Sequence, residues 1–310
     1  AVSSTGALAY VVSPLVSRPD AEVVGVDRAG KATPIGDARA SYQTGGWLSP
    51  DGTRIALSVT TDKERRPFAF DLARGTLTPL APSGKGEFVG RVWSASNHVA
   101  FQVFESGKTQ LVIVNADDPS KIERVPESSD FWPSAWSRDG SRLIGLRARD
   151  IWMYAPGSTP PFQPVMTTPA SETHPSWSPD GKWIAYVSDT SGRAEVYVRP
   201  YPGLGREIPV STGGATAVAW SRDGRELFFV ATGTGSDVMM AANMANPAQP
   251  GKPTRLFAPD AALDFRCNPV NCYAVGTGAR QFVTTRDVPQ APRPVRQINL
   301  ILNWLQTVSK

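Results

Sequence analysis

Along most of the chain, apolar and polar residues alternate with a period of two, in short runs broken by Gly, Pro, Asp and Ser. That is the pattern of β-strands joined by tight turns rather than the 3.6-residue period of a helix. Residues 174–211 show the grammar. They predict an innermost strand at 174–178, a turn at Pro179-Asp180-Gly181, a second strand at 183–187, a turn at 189–192, a third strand at 195–199 and an outer strand at 207–211. The same order predicts strands at 54–59, 68–71 and 76–80, and again at 142–147, 150–154 and 162–166.

The strand groups recur. Trp136-Ser137-Arg138-Asp139-Gly140, Trp177-Ser178-Pro179-Asp180-Gly181 and Trp220-Ser221-Arg222-Asp223-Gly224 are the clearest copies of one motif, followed by Leu48-Ser49-Pro50-Asp51-Gly52 and a worn copy at Trp93-Ser94-Ala95-Ser96-Asn97. From Ser49 through Ser94, Ser137 and Ser178 to Ser221 the steps are 45, 43, 41 and 43 residues. A four-stranded unit repeated at this interval is a propeller blade. Weaker copies at 3–6 and 275–278 extend the series, so the pattern predicts one all-β domain over residues 1–310, a β-propeller of four-stranded blades. Seven units start near 1, 45, 90, 133, 174, 217 and 271; a six-bladed ring is the alternative, if one terminal unit is not a blade.

Turn chemistry explains the repeated Asp-Gly, because Gly takes positive φ without a Cβ clash and Asp bonds the turn's own backbone. The tryptophans share one register, which places their rings between neighbouring blades. The last unit offers strands near 272–276 and 280–285, then a third at 297–304, with no fourth strand. This leads to the expectation that sequence upstream of Ala1 completed that blade, or that its open edge pairs with a second copy.

Composition adds limits. Hydrophobic residues make up 41 % and charged residues 19 %, ordinary values for a globular chain, and 28 prolines and 27 glycines suit hairpins. The net charge of +4 is scattered. The cluster Lys63, Arg65, Arg66 is interrupted by Glu64 and reads as a solvated hairpin tip, so no nucleic acid is implied. There is no apolar run long enough to insert in a membrane and no leader-like N-terminus, which suggests a mature form or an excised domain. Cys267 and Cys272 flank a Pro-containing turn. Either they form a local disulfide, which would indicate an oxidising compartment, or they are two free thiols.

Catalytic groupings are sparse. His98 and His174 are the two histidines, and no Gly-x-Ser-x-Gly elbow presents a nucleophile. A propeller hydrolase, lactonase or lyase would need acid/base or metal-binding groups at the channel, where Glu172 and His174 are the candidates. No cofactor and no metal site are expected. Loops that lead into the innermost strands gather at one end of a propeller's channel, where ligands usually dock. That face would collect Tyr42, Phe88, Trp132, Glu172, His174, Arg193 and Arg266, with Trp132 outside the packing register held by Trp136.

The stretch from Trp177 to Asp189, with Ser191-Gly192-Arg193 and residues 195–203, resembles the TolB-like, WD40-like propeller found C-terminal to bacterial membrane-spanning serine/threonine kinases. Residues 71–78, 225–229 and 298–304 agree. The resemblance implies a non-catalytic sensor or docking module outside the cytoplasm, in the periplasm or cell envelope, that binds a protein, a peptide or a small envelope ligand. A cytoplasmic location and a passive assembly scaffold are the alternatives. The kinase's Gly-rich loop, His-Arg-Asp and Asp-Phe-Gly motifs are not in this sequence.

Overall fold

The structure, a computed structural model, describes residues 8–10, 20–43, 48–60, 64–81, 87–203, 205–233, 235–265, 271–276, 281–289 and 299–301. The described residues are strands and turns, with no helix. In chain order the strands are β1 (Leu8–Tyr10), β2 (Ala21–Asp27), β3 (Ala32–Gln43), β4 (Arg54–Thr60), β5 (Arg65–Asp71) and β6 (Leu77–Pro79). Next come β7 (Glu87–Trp93), β8 (His98–Glu105), β9 (Lys108–Asn115), β10 (Asp118–Arg124), β11 (Phe131–Trp136), β12 (Leu143–Arg147), β13 (Asp150–Tyr154) and β14 (Phe162–Met166). The series ends with β15 (Glu172–Trp177), β16 (Trp183–Ser188), β17 (Glu195–Pro200), β18 (Ile208–Pro209), β19 (Ala215–Trp220), β20 (Glu226–Ala231), β21 (Val238–Asn243), β22 (Thr254–Phe257), β23 (Ala274–Val275), β24 (Gln281–Asp287) and β25 (Asn299–Ile301).

β7–β10, β11–β14, β15–β18 and β19–β22 are antiparallel meanders of four strands each. The last three residues of β3, Ser41 to Gln43, pair with β4, which with β5 and β6 makes a fifth unit. The sixth is composite: β23 pairs with β24, β24 with β2, and β2 with the first part of β3. Seven pairs, from Ala21↔Asp287 to Asp27↔Gln281, join β2 to β24.

This pairing corrects the expectation for the chain ends. The units placed near 1 and 271 are not two separate blades among the described residues, because β24 takes its third and fourth strands from residues 21–40. β2 and the first part of β3 supply them. The third strand expected at 297–304 lies partly outside the described residues, and its described part, β25, pairs instead with β1. Six four-stranded units are therefore described, not seven.

The core has the same count. Six clusters of buried apolar residues each join two neighbouring units. One contains Val24, Val26 and Phe282 of the composite blade with Phe228 and Met239 of the blade before it. Another joins Ala21, Val23 and Val283 to Ile55, Leu57 and Phe70 of the blade after it. Hydrophobic burial thus runs round the ring without a gap. Trp177 packs with Ile144, Leu146 and Met153 of the preceding blade, and Trp220 with Ala185 and Val187 of the one before it, as their register predicts.

Each of four inner strands carries a register shift against its neighbour, near Val89/Arg91, Pro133/Ala135, Thr173/Ser176 and Thr216/Ala219. A bulge inserts a residue and bends the strand. At two of these shifts His174 and Ala217 take positive φ, 53° and 56°. Gly145 faces such a bulge, and a Cβ there would lie 2.2 Å from the Trp132 carbonyl oxygen, which is why the position is glycine.

Candidate ligand-binding cavity on the ring axis

At the end of five inner strands a serine builds the same turn. Ser49, Ser137, Ser178 and Ser221 donate through Oγ to Asp51, Asp139, Asp180 and Asp223 at 2.5–2.7 Å. The same oxygens accept the backbone N–H of Arg54, Arg142, Trp183 and Glu226 at 2.9–3.0 Å. Ser94 keeps the second contact, accepting from the His98 N–H, and pairs with Ser96 in place of an aspartate. The serine bond, with further backbone bonds, holds the Asp51 and Asp139 carboxyls down at about 2. Asp223 is lowered for the same reason, and Asp180 is lowered although burial pushes it the other way. These carboxylates are turn elements, as the motif implies.

The turns converge on a cavity of about 340 Å³ on the axis, at the face where the inner strands end. Every blade contributes to its wall: Leu48, Trp93, Trp136, Trp177, Trp220 and Tyr273 stand at successive positions round the ring. Of the four indoles, Trp93 donates to Asn97 Oδ1 at 2.7 Å and Trp136 to the Val92 carbonyl at 3.2 Å. Trp177 Nε1 and Trp220 Nε1 are buried with no partner. Asn271, 5 % exposed, also lines the cavity; its Nδ2 donates to the Val218 carbonyl while its Oδ1 is unpaired. The charged side chains of the wall are Arg138 and Arg222, both exposed. Arg222 donates through Nη2 to the Pro50 carbonyl, spanning from its own blade past the composite blade to the next.

The described residues among those expected to form a binding face lie at the opposite end, where the inner strands begin. Tyr42 is buried between two blades, its hydroxyl unpaired and its pKa raised by burial. Phe88 is half-buried, edge-on to Phe101 with centroids 5.9 Å apart. Trp132 is half-buried against Phe104, an exposed ring 5.8 Å away. Glu172 is buried; its Oε1 accepts from the Thr168 hydroxyl at 2.5 Å, its Oε2 has no partner, and burial, with Asp150 and Asp189 nearby, raises its pKa. His174 sits inside β15 at the bulge, 2 % exposed, with Nδ1 3.0 Å from Thr173 Oγ1. Arg193 is exposed, its Nε 3.5 Å from Glu195 Oε1. Arg266 and Cys267 lie outside the described residues; Cys272 is fully buried and disulfide-bonded. The ring and polar contacts given for Phe88, Trp132, Glu172 and Arg193 run to residues outside the group. Among the described residues no cluster of three His, Cys, Asp or Glu could hold a metal, and no helix is long and apolar enough to cross a membrane.

Sequence reasoning placed the tryptophans correctly and missed the cavity they enclose. A signal was present: the residue after the motif serine is Pro50, Ala95 and Pro179 in three blades but Arg138 and Arg222 in two others.

The family model described as the TolB beta propeller domain, PD40, matches residues 89–250, just over half of the chain. The chain belongs to the TolB β-propeller family. Among solved structures, this TolB-type propeller is similar to a putative TolB from Agrobacterium tumefaciens, with a TM-score of 0.70 at 16 % identity, covering 88 % of this chain and 100 % of that one. It is also similar to an oligogalacturonate lyase in complex with manganese, with a TM-score of 0.57 at 16 % identity, covering 93 % and 95 % of the two chains. At such identities the likeness is one of fold. Dipeptidyl peptidase 4 of Arthroderma otae is 24 % identical over 168 residues, 50 % of this chain and 17 % of the peptidase. The chain thus spans about a sixth of the length of that curated relative.

Proposed function

We propose that this TolB-type propeller is a non-catalytic binding module that takes a protein segment, a peptide or a small envelope-derived ligand into the axial cavity. The observation that carries the reading is the wall itself: each blade places one large side chain on it, four of them indoles. Aromatic walls with a few polar groups are the usual make-up of ligand sites, and a volume near 340 Å³ falls at the small end of the ~300–1,000 Å³ they span. The resemblance to kinase-linked propellers supports a sensor or docking role outside the cytoplasm, in the periplasm or cell envelope. Trp132, Phe88 and Arg193 at the other face are then scaffold or secondary contacts.

The test is capture of envelope peptides and metabolites on the immobilised protein, read by mass spectrometry. Ala95→Trp, at an exposed position on the cavity rim, should abolish the specific set, and Trp132→Ala at the far face should not. Loss with Trp132→Ala alone would move the site to the far face, and capture unaffected by either would favour a passive scaffold.

Glu172 supports a second reading. A buried carboxyl with a raised pKa and one unpaired oxygen has the character of a general acid. That reading makes the chain a propeller-type lyase or hydrolase. It requires turnover of a polysaccharide, lactone or peptide that Glu172→Gln eliminates.

A further inference from the structure

We propose that the ligand of the axial cavity is a small carboxylic acid that also carries an amide, its carboxylate held by Arg138 and Arg222 and its amide placed against Trp177, Trp220 and Asn271. This deepens the binding reading above and rests on it. Three independent features of the wall lead here.

The first is charge. The turn that carries Arg138 and Arg222 does not require arginine, since Pro50, Ala95 and Pro179 fill the same position in other blades. The acidic residue of each turn does not line the cavity. Asp139 is occupied by the Ser137 hydroxyl and by the Ser141 N–H and hydroxyl, and Asp223 by the Ser221 hydroxyl and the Arg225 N–H. Neither arginine forms an ion pair among the described residues. Two guanidinium groups, of which Arg222 spends Nη2 on the Pro50 carbonyl, stand at the mouth of a cavity whose described wall holds no carboxylate, and they suit an anion. Guanidinium geometry matches the two oxygens of a carboxylate in particular.

The second is the set of unpaired polar atoms. Buried polar groups are nearly always hydrogen-bonded, so exceptions that cluster call for a missing partner. Here two N–H donors, on Trp177 and Trp220, and one acceptor, Asn271 Oδ1, belong to three neighbouring blades on one arc of the wall. The indoles on the remaining arc, Trp93 and Trp136, are already bonded. Two donors and one acceptor call for a group that both accepts and donates, and an amide does both.

The third is the state of the serines. Of the six serines on the wall, Ser49, Ser137, Ser178 and Ser221 commit their hydroxyls to the turns, as donors to aspartate and as acceptors from backbone, and Ser94 bonds Ser96 and the His98 N–H. The wall therefore offers little to a polyol such as a sugar. A flat or apolar body among the indoles is the better fit.

N-acetyl-L-phenylalanine supplies all of these elements and serves as the probe, followed by tryptophan fluorescence of the full chain and by calorimetry. Its partner probe, N-acetyl-L-phenylalanine amide, lacks the carboxylate. The acid should bind, and the amide should bind more weakly by roughly tenfold to a hundredfold, the value of a charge-assisted hydrogen bond. R138Q/R222Q should bring the acid down to the level of the amide, while R138K/R222K should retain part of the difference; matching thermal melts of both variants exclude misfolding. An acetylated tetrapeptide ending in phenylalanine, with a free carboxylate, separates a peptide C-terminus from a free acyl amino acid as the natural source by which of the two binds tighter. Equal affinity for acid and amide, or no saturable signal from the acid, overturns this inference and leaves the cavity reading to the Ala95→Trp capture test. Undiminished binding of the acid to Ala95→Trp would place it outside the cavity and overturn this inference, while the cavity reading stands or falls by the capture test.

Discussion

The blade of residues 172–209 is written without interruption, whereas the blade that closes the ring takes its inner pair from residues 274–287 and its outer pair from residues 21–40. In the first, every ladder joins strands consecutive in the sequence. In the second, the central ladder joins residues more than 250 positions apart, such as Glu22 and Arg286, whose side chains also form an ion pair. The contiguous blade is specified by local turn chemistry. The composite blade exists only when the whole ring does, so its contacts act as the closure of the fold.

Removing residues 1–31 should have the largest effect. It deletes Ala21, Val23, Val24 and Val26, which belong to the clusters on both sides of the closing blade. The three valines at roughly 1.5–3 kcal/mol each approach the ~5–15 kcal/mol that stabilises a whole domain. The truncated chain should show no cooperative urea transition. A circular permutant in which a short Asn-Gly turn joins Asp20 to Val288, which are already bonded N–H to carbonyl, and whose new ends lie in the exposed 246–250 turn, should fold as well as the original. A permutant that fails to fold would show that closure depends on more than the β2–β24 ladder.

Phe282→Ala comes next. This ring is fully buried and packs edge-on or tilted against Phe228, Phe257, Phe265 and Tyr273. Its loss should destabilise by about 3–5 kcal/mol, measured by urea denaturation. Ser178→Ala, in the contiguous blade, should cost about 1 kcal/mol, because it frees one aspartate and one backbone N–H at an accessible turn.

Acid should separate the two kinds of blade more finely. Asp51 and Asp139 are lowered from 3.8 to about 2 by their serine and backbone bonds. A depressed carboxyl stabilises the fold fully above its unfolded pKa, and that contribution is lost as pH falls through the folded value. The melting temperature should therefore decline between about pH 4 and pH 2, and Ser49→Ala/Ser137→Ala should flatten the decline. The segment between β23 and β24, residues 276–281, has no aspartate, so this serine–aspartate contribution belongs to the other blades. The smallest effect belongs to the seam pair Arg28–Glu226, bonded at 2.8 and 2.9 Å but about one-third exposed. Arg28→Ala/Glu226→Ala double-mutant cycles should give a coupling of about 0.2–1 kcal/mol, reduced in high salt.

The same contrast explains what could be read from the sequence. Four strands, their turns and the tryptophan register of residues 172–209 were all legible, since period-two alternation and Asp-Gly turns are local signals. The closing blade was not, because nothing in residues 21–27 names residues 281–287 as their partner, and a strand run at 297–304 competed for the place. The axial cavity was not legible for a related reason. Residues such as Trp132 and Arg193 are visible as exceptions to a pattern, whereas the cavity is made by residues that obey it, and six blades must be assembled before their motif residues enclose a space. The asymmetry of Arg138 and Arg222 was the one local trace of it.

The placement of both ends of β2–β24 has a mechanical consequence. Ala21 and Asp287 are opposite each other at one end of the ladder, and outside them Leu8↔Ile301 and Tyr10↔Asn299 pair in the same antiparallel sense. Tension applied between the two chain ends therefore loads both ladders in peeling geometry, one bonded pair at a time, instead of shearing all pairs together. The ladder that closes the ring is thus weak against being pulled apart by the chain's own ends.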